Sequence, residues 1–159
     1  MDPRIELGDF LANVPSLARL DDQELSALEH ALSVDRYPDG HEFINENIPN
    51  DRVFLIVDGN ILATRKRVYL RGTDIYDRLE PGELFGLTAL IDRRYPWATF
   101  RADGPVVAAT LHDSAFELLF RSHARIAYCF QKLVAVTLVR RVRATVTVLD
   151  SLFAGETDR

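Results

Sequence analysis

The residues with the most chemical potential lie in one run, Pro81-Gly82-Glu83-Leu84-Phe85-Gly86-Leu87-Thr88-Ala89-Leu90-Ile91-Asp92, continued by Arg93-Arg94-Tyr95-Pro96-Trp97-Ala98-Thr99. Gly82 and Gly86 bracket a turn that leads into a short apolar helix and then a strand. A glycine just ahead of a helix lets the backbone approach a ligand closely, and the free N–H groups there attract anions. The same spacing suits a plain strand–turn–helix–strand connection with glycine at its bends, so the residues alone leave both readings open. Other chemistries have less to stand on. His30, His41, His112 and His123 show no metal-ligand spacing, and no carboxylate pair is singled out as acid and base. No enzyme activity and no metal are expected.

The elements that must position this run are set out by glycine and proline. Turn signals fall at Pro38-Asp39-Gly40, Pro49-Asn50-Asp51, Asp58-Gly59-Asn60, Arg71-Gly72-Thr73, Pro81-Gly82 and Asp103-Gly104-Pro105. They recur at the spacing of a sandwich or barrel of short strands. Between them lie strand-like runs over 42–44, 53–57, 61–64, 75–79, 98–101 and 106–111. The run Val53 to Val57 is continuously apolar and is expected at the centre.

Both flanks are predicted to be helical. Phe10 to Val14 forms a helical turn that stops before Pro15. Asp21-Asp22-Gln23-Glu24 supplies a cap and acidic first-turn residues, after which Leu25, Leu28 and Leu32 follow at helical spacing. No glycine or proline occurs from Val106 through Ala154, and Ser114-Ala115-Phe116-Glu117 has capping-box spacing. From there Ala135, Leu138, Val142, Thr145, Leu149 and Leu152 alternate steps of three and four, a short heptad seam. Thr145 to Val148 has strand propensity, but the helical spacing runs through it. A helix this long outruns the domain, so its apolar seam predicts a homodimer through Leu138, Val142, Thr145, Leu149 and Leu152. Arg125, Lys132, Arg140, Arg141 and Arg143 form a basic set on the same helix, expected to solvate a face and complement the helix dipole.

Bulk properties bound the rest. With 159 residues the chain suits one domain: N-terminal helices and strands over 1–113, and a helical segment of hinge and dimerisation helix over 114–154. The formal charge of −5 argues against a surface that coats nucleic acid. A single cysteine, Cys129, excludes an internal disulfide framework, and no apolar run or signal-peptide pattern points to a membrane. A cytoplasmic location is the expectation.

The run Pro81-Gly82-Glu83-Leu84-Phe85-Gly86 with Ala89-Leu90-Ile91 resembles the phosphate-binding cassette of cyclic nucleotide-binding domains. Tyr37 to Ile44 and Phe54-Leu55-Ile56-Val57-Asp58-Gly59-Asn60-Ile61 are similar to that family's first strands and its I-x-x-G turn. The resemblance spans roughly residues 8 to 153. It implies an α+β fold: an antiparallel β-roll, a jelly-roll-like double-stranded barrel, flanked by N-terminal helices and a long C-terminal helix, as in the catabolite-activator-like proteins. It also implies a ligand site over Gly82, Glu83, Phe85, Gly86, Leu87, Thr88, Pro96, Trp97 and Ala98, with a cyclic nucleotide as the ligand.

This chain departs from the family inside that site. The family's glutamate after the glycine, which accepts the ribose 2′-hydroxyl, is replaced by Leu87. Its phosphate-pairing arginine is replaced by Pro96, followed by Trp97. Arg93 and Arg94 are the candidates to compensate. Upstream, the turn Asn45-Glu46-Asn47-Ile48-Pro49 lacks the family glycine, a change asparagine tolerates. Many bacterial members carry a helix-turn-helix domain after the helix, and the residues past Phe153 are too few to supply one. Two readings follow. Either the module senses a small anionic ligand and signals through its helix, or its pocket is degenerate or retuned and it acts as a dimeric regulatory module binding another protein.

Overall fold

Apolar residues at successive positions of one strand require burial on both of its faces. In the computed structural model, which describes residues 3–66, 73–87, 91 and 94–154, this is how Val53 to Val57 is used. The elements are α1 (Pro3–Asn13), α2 (Asp22–Ala31), β1 (Ser33–Tyr37), β2 (Glu42–Ile44), β3 (Arg52–Lys66), β4 (Thr73–Leu79), β5 (Leu84–Phe85), β6 (Thr99–His112), α3 (Asp113–Ser122) and α4 (Ala124–Ala154). All strand pairs are antiparallel. The order is β1-β6-β3-β4, with β2 added to β6 and β5 added to β3.

The β3–β6 ladder separates two cores. Val53, Leu55 and Val57 of β3, with Val107, Ala109 and Leu111 of β6, face the helices and pack on Leu11, Leu17, Leu28, Ile126 and Phe130. Phe54, Ile56, Ala108, Phe100 and Ala102 face the other way, into the roll, with Ile61, Leu79 and Phe85. The roll is filled by rings. Phe85 stacks between Phe54 at 4.9 Å and Phe100 at 5.3 Å, while Phe43 meets Phe85 edge-on at 5.5 Å. Aromatic pairs in such geometries contribute about 0.5–1.5 kcal/mol beyond the area they bury.

The sequence reading is corrected at two turns. Asp58-Gly59-Asn60 and Asp103-Gly104-Pro105 are not hairpin ends, because β3 and β6 run straight through them and stay paired. The register shifts at Ile56/Asp58 and Asp58/Asn60 mark bulges that bend both strands together. Gly59 (φ +85°) sits where an added Cβ would meet the Pro105 carbonyl and lie 3.1 Å from the Val106 Cα. Gly104 (φ +81°) has open space there.

The helices follow their local signals with small shifts. Asp21 caps α2 and accepts a bond from the Glu24 N–H, and the Glu24 carboxylate reciprocates, a complete capping box. The expected box at Ser114 does not form. Helix α3 starts two residues earlier, capped at His112, and places Asp113 in the first turn instead. It ends at Ser122, and His123 breaks the chain before α4 starts. The Thr145–Val148 stretch is helical, with the Thr145 and Thr147 hydroxyls bonded back to the carbonyls of Arg141 and Arg143. The turn at 45–49 is held by the Asn45 side chain, which accepts from the Asn47 N–H at 2.9 Å.

The contrast between the two bulge glycines is testable. Gly104→Ala carries only the cost of a left-handed residue, about 1–2 kcal/mol, whereas Gly59→Ala adds a backbone clash. Thermal unfolding should show Gly59→Ala losing more than Gly104→Ala, at roughly 2–4 °C per kcal/mol. Equal losses would show that the bend does not depend on that close approach.

Candidate functional site

The cassette region is built on the edge of β3. Leu84 and Phe85 pair with Leu55 and Phe54. Just before them, the turn at 80–83 closes on itself: the Glu83 N–H donates to the Glu80 carbonyl at 3.1 Å, and the Glu83 carboxylate accepts the Glu80 N–H at 2.8 Å. The Gly82 N–H donates to the Ile56 carbonyl at 2.8 Å and takes a φ of +88°, which glycine alone adopts without strain. Gly86 also has φ +88°, and a Cβ there would come within 2.6 Å of the Arg52 carbonyl. Asn50 fixes that approach, its amide donating to the Arg52 carbonyl at 2.6 Å and the Gly86 carbonyl at 3.2 Å. Both glycines therefore have structural reasons to be glycine.

The positions that depart from the family pattern are apolar in place as well as in type. Leu87 is buried in the core beneath the helices. Pro96 is buried, Ala98 is fully so, and Trp97 is half-buried with its indole edge-on to Phe100 at 5.6 Å. Arg94 is exposed. Thr88 and Arg93 lie outside the described residues. The structure thus brings Gly82, Glu83, Phe85, Gly86 and Leu87 into one folded turn against β3, with Trp97 and Ala98 against the ring stack.

The sequence reading missed what holds this turn from outside. Arg140 and Arg141 do not simply solvate the long helix. The Arg140 Nη1 donates to the buried Glu83 carboxylate at 3.3 Å, and the Arg141 Nη2 donates to the Leu84 carbonyl at 3.1 Å. The Arg141 Nε lies 3.8 Å from the Asp77 carboxylate, an ion pair without a hydrogen bond, and among the described residues that buried N–H has no hydrogen-bond partner. Arg125 pairs with Glu24 at 3.4 Å, at the other end of the helix. One signal could have revealed Arg141. Ile126, Phe130, Leu133 and Thr137 are buried at steps of four and three, and Arg141 falls on the same inward track.

Burial pushes the Asp77 carboxyl above its ordinary value, with the nearby Glu83 adding to the effect and Arg141 opposing it. Burial likewise lowers the Arg141 value, against the pull of Asp77 and Glu83. Beyond Arg141 the helix leaves the body. Leu138, Val142 and Leu149 are exposed on it, as is Thr145; the Leu152 side chain lies outside the described residues. Among the described residues, no group of three or more His, Cys, Asp or Glu is placed to hold a metal, and no helix is long and apolar enough to cross a membrane.

Comparison with known proteins agrees with this architecture. The Cyclic nucleotide-binding domain profile matches residues 34–123, more than half of the chain, and the chain belongs to that family. A cAMP-dependent protein kinase regulatory subunit from Debaryomyces hansenii is 31% identical over 116 residues, covering 73% of this chain and 25% of that protein. The chain spans about a quarter to a third of the length of such curated relatives. Among solved structures, a cyclic nucleotide-binding domain from Methylobacillus flagellatus superposes with a TM-score of 0.77 at 18% identity, over 89% of this chain and 79% of that one. The regulatory subunit of a cAMP-independent protein kinase A from Trypanosoma cruzi, bound to guanosine, gives 0.71 at 21% identity, over 93% and 50%. The β-roll of cyclic nucleotide-binding domains is the class to which this site belongs.

The Asp77 environment predicts a pH dependence with a definite sign. A carboxyl raised on folding binds its proton more tightly folded than unfolded, so its charge costs stability as pH rises from the usual carboxylate range through the raised value. Urea unfolding of the wild type and Asp77→Asn at about pH 3.5 and about pH 7 should show the variant gaining relative to the wild type at the higher pH. A difference that stays flat would mean the carboxyl is unperturbed.

Proposed function

We propose that the chain is a non-enzymatic regulatory module in which cyclic nucleotide binding through the family's glutamate and arginine has been lost, and which acts as a dimer through α4. The observation that carries this is the apolar set of buried Leu87 and Pro96 with half-buried Trp97, at the positions where the family's acceptor and guanidinium would hold ribose and phosphate. A charge-assisted bond contributes about 1.5–3 kcal/mol, so losing the arginine alone costs roughly ten- to hundred-fold in affinity. The intact Gly82 and Gly86 turn does not argue otherwise, since both glycines are needed by the fold. The division into a sensing part over 1–113 and a transmitting helical part over 114–154 goes with this reading, as does a cytoplasmic setting.

A second reading is a pocket retuned to an uncharged nucleoside. It draws on the same apolar positions and on the Trypanosoma cruzi protein, which shares the fold and holds guanosine, a ligand without a phosphate. Signalling would then pass to α4 through the Arg140 and Arg141 contacts. Arg94, which is exposed, and Arg93 stand as the cations a retained cyclic nucleotide would need.

Isothermal titration with cyclic AMP, cyclic GMP, cyclic di-GMP and guanosine separates these readings. No cyclic nucleotide is expected to bind more tightly than about 1 mM. Micromolar binding of any of them would overturn the loss of function, while guanosine binding alone would favour the retuned pocket.

The dimer is tested separately by sedimentation. Val142→Glu combined with Leu149→Glu should convert a dimer at tens of micromolar, on the order of typical working concentrations, into a monomer. A wild type that is monomeric at every concentration would defeat that part of the proposal.

A further inference from the structure

A cleft of about 260 Å³ opens outside the roll, between the loop after α1, the turn at Pro81-Gly82 and the face of α4. Its walls are apolar: Phe10, Val14, Pro15, Leu133 and Val136. Four residues with polar side chains line it, Asn13, Ser16, Thr137 and Arg140, and the Asn13 amide is already bonded to the Asp9 carbonyl. Both hydroxyl residues are more than nine-tenths buried, Ser16 being 8% exposed and Thr137 4%. Among the described residues, neither hydroxyl makes a hydrogen bond. Thr137 differs in this from Thr145 and Thr147 on the same helix, whose hydroxyls bond back to helix carbonyls.

Neither hydroxyl is sealed off from the cleft, so both can donate to and accept from a ligand that enters it. Arg140 also lines the cleft and uses one of its five N–H donors on Glu83. Three cations gather on this stretch of α4, Lys132, Arg140 and Arg143. Val136 and Arg140 also line an adjoining groove on α4, together with the cations Lys132 and Arg143. The acid nearest Arg140, Glu83, is already engaged by Arg140 and by the Glu80 N–H. The cleft falls just below the ~300–1,000 Å³ of pockets that hold drug-sized ligands. It therefore suits a short apolar body with a single anionic head.

We propose that this cleft is a second ligand site, separate from the cassette, which takes a small aliphatic carboxylate. Its head would accept bonds from Ser16, Thr137 and Arg140, and its tail would lie on Phe10, Val14, Leu133 and Val136. Because the cleft joins the turn before β5 to α4, an occupant would bridge the two elements that Arg140 and Glu83 already connect. This inference does not depend on whether the cassette binds a nucleotide.

The test is a titration of the ¹⁵N-labelled chain with hexanoate, followed by amide correlation spectra, with hexan-1-ol as the uncharged match. Shifts are expected at residues 10–16, 82 and 133–140, with hexanol binding at least about ten-fold more weakly. Thr137→Val preserves shape and should weaken hexanoate several-fold. Arg140→Gln should erase the preference for hexanoate over hexanol. Equal affinity for the two probes, shifts confined to the 142–149 seam or to the roll interior, or no shift up to about 10 mM would each overturn the proposal.

Discussion

The structure depends on the pairing of β3 with β6, two strands of 15 and 14 residues that bend together without separating. Because the ladder is continuous through the bend, one face of it carries the helices and the other closes the roll. Alternate residues of the same strand therefore serve different cores: Val53, Leu55 and Val57 on one side, Phe54 and Ile56 on the other. The bend needs a residue at φ +85° packed against the Pro105 carbonyl, and Gly59 meets both demands. Burial on two faces is what turns a plain apolar run into the spine of the fold.

The cassette inherits its character from that spine. β5 is only two residues long, and it is held because Phe85 enters the ring stack while Leu84 enters the core beneath the helices. The glycines around it satisfy the backbone, Gly86 lying against Arg52 and Gly82 closing the turn onto Ile56. The geometry of this turn is thus accounted for by the chain's own contacts.

The long helix links the two. Up to Arg141 it is bound to the body, first by the apolar track from Ile126 to Leu133 and then by two arginines that reach the cassette turn. Past Arg141 it carries apolar residues into solvent. The helix is therefore both a clamp on the cassette turn and the carrier of an exposed apolar seam.

Local signals in the sequence determined much of this. The Asp21–Glu24 cap, the centrality of Val53–Val57, the helical periodicity through Thr145–Val148 and the cassette motif could all be read because each rests on neighbours within a few residues. Helix bonding and capping act at that range. Other features were decided only by the tertiary structure. A sequence of the type Asp-Gly-Asn serves a hairpin turn or a bulge equally well, and only the presence of β6 alongside made Gly59 a bulge. β1 and β5 escaped notice because a strand with few buried residues, or with only two residues in all, has no period of its own and exists by pairing. The roles of Arg140 and Arg141 depend on Glu83, Leu84 and Asp77, more than fifty residues away in the chain. Charge and spacing on a helix reveal a basic set, but its partners are set by how that helix lies across the sheet.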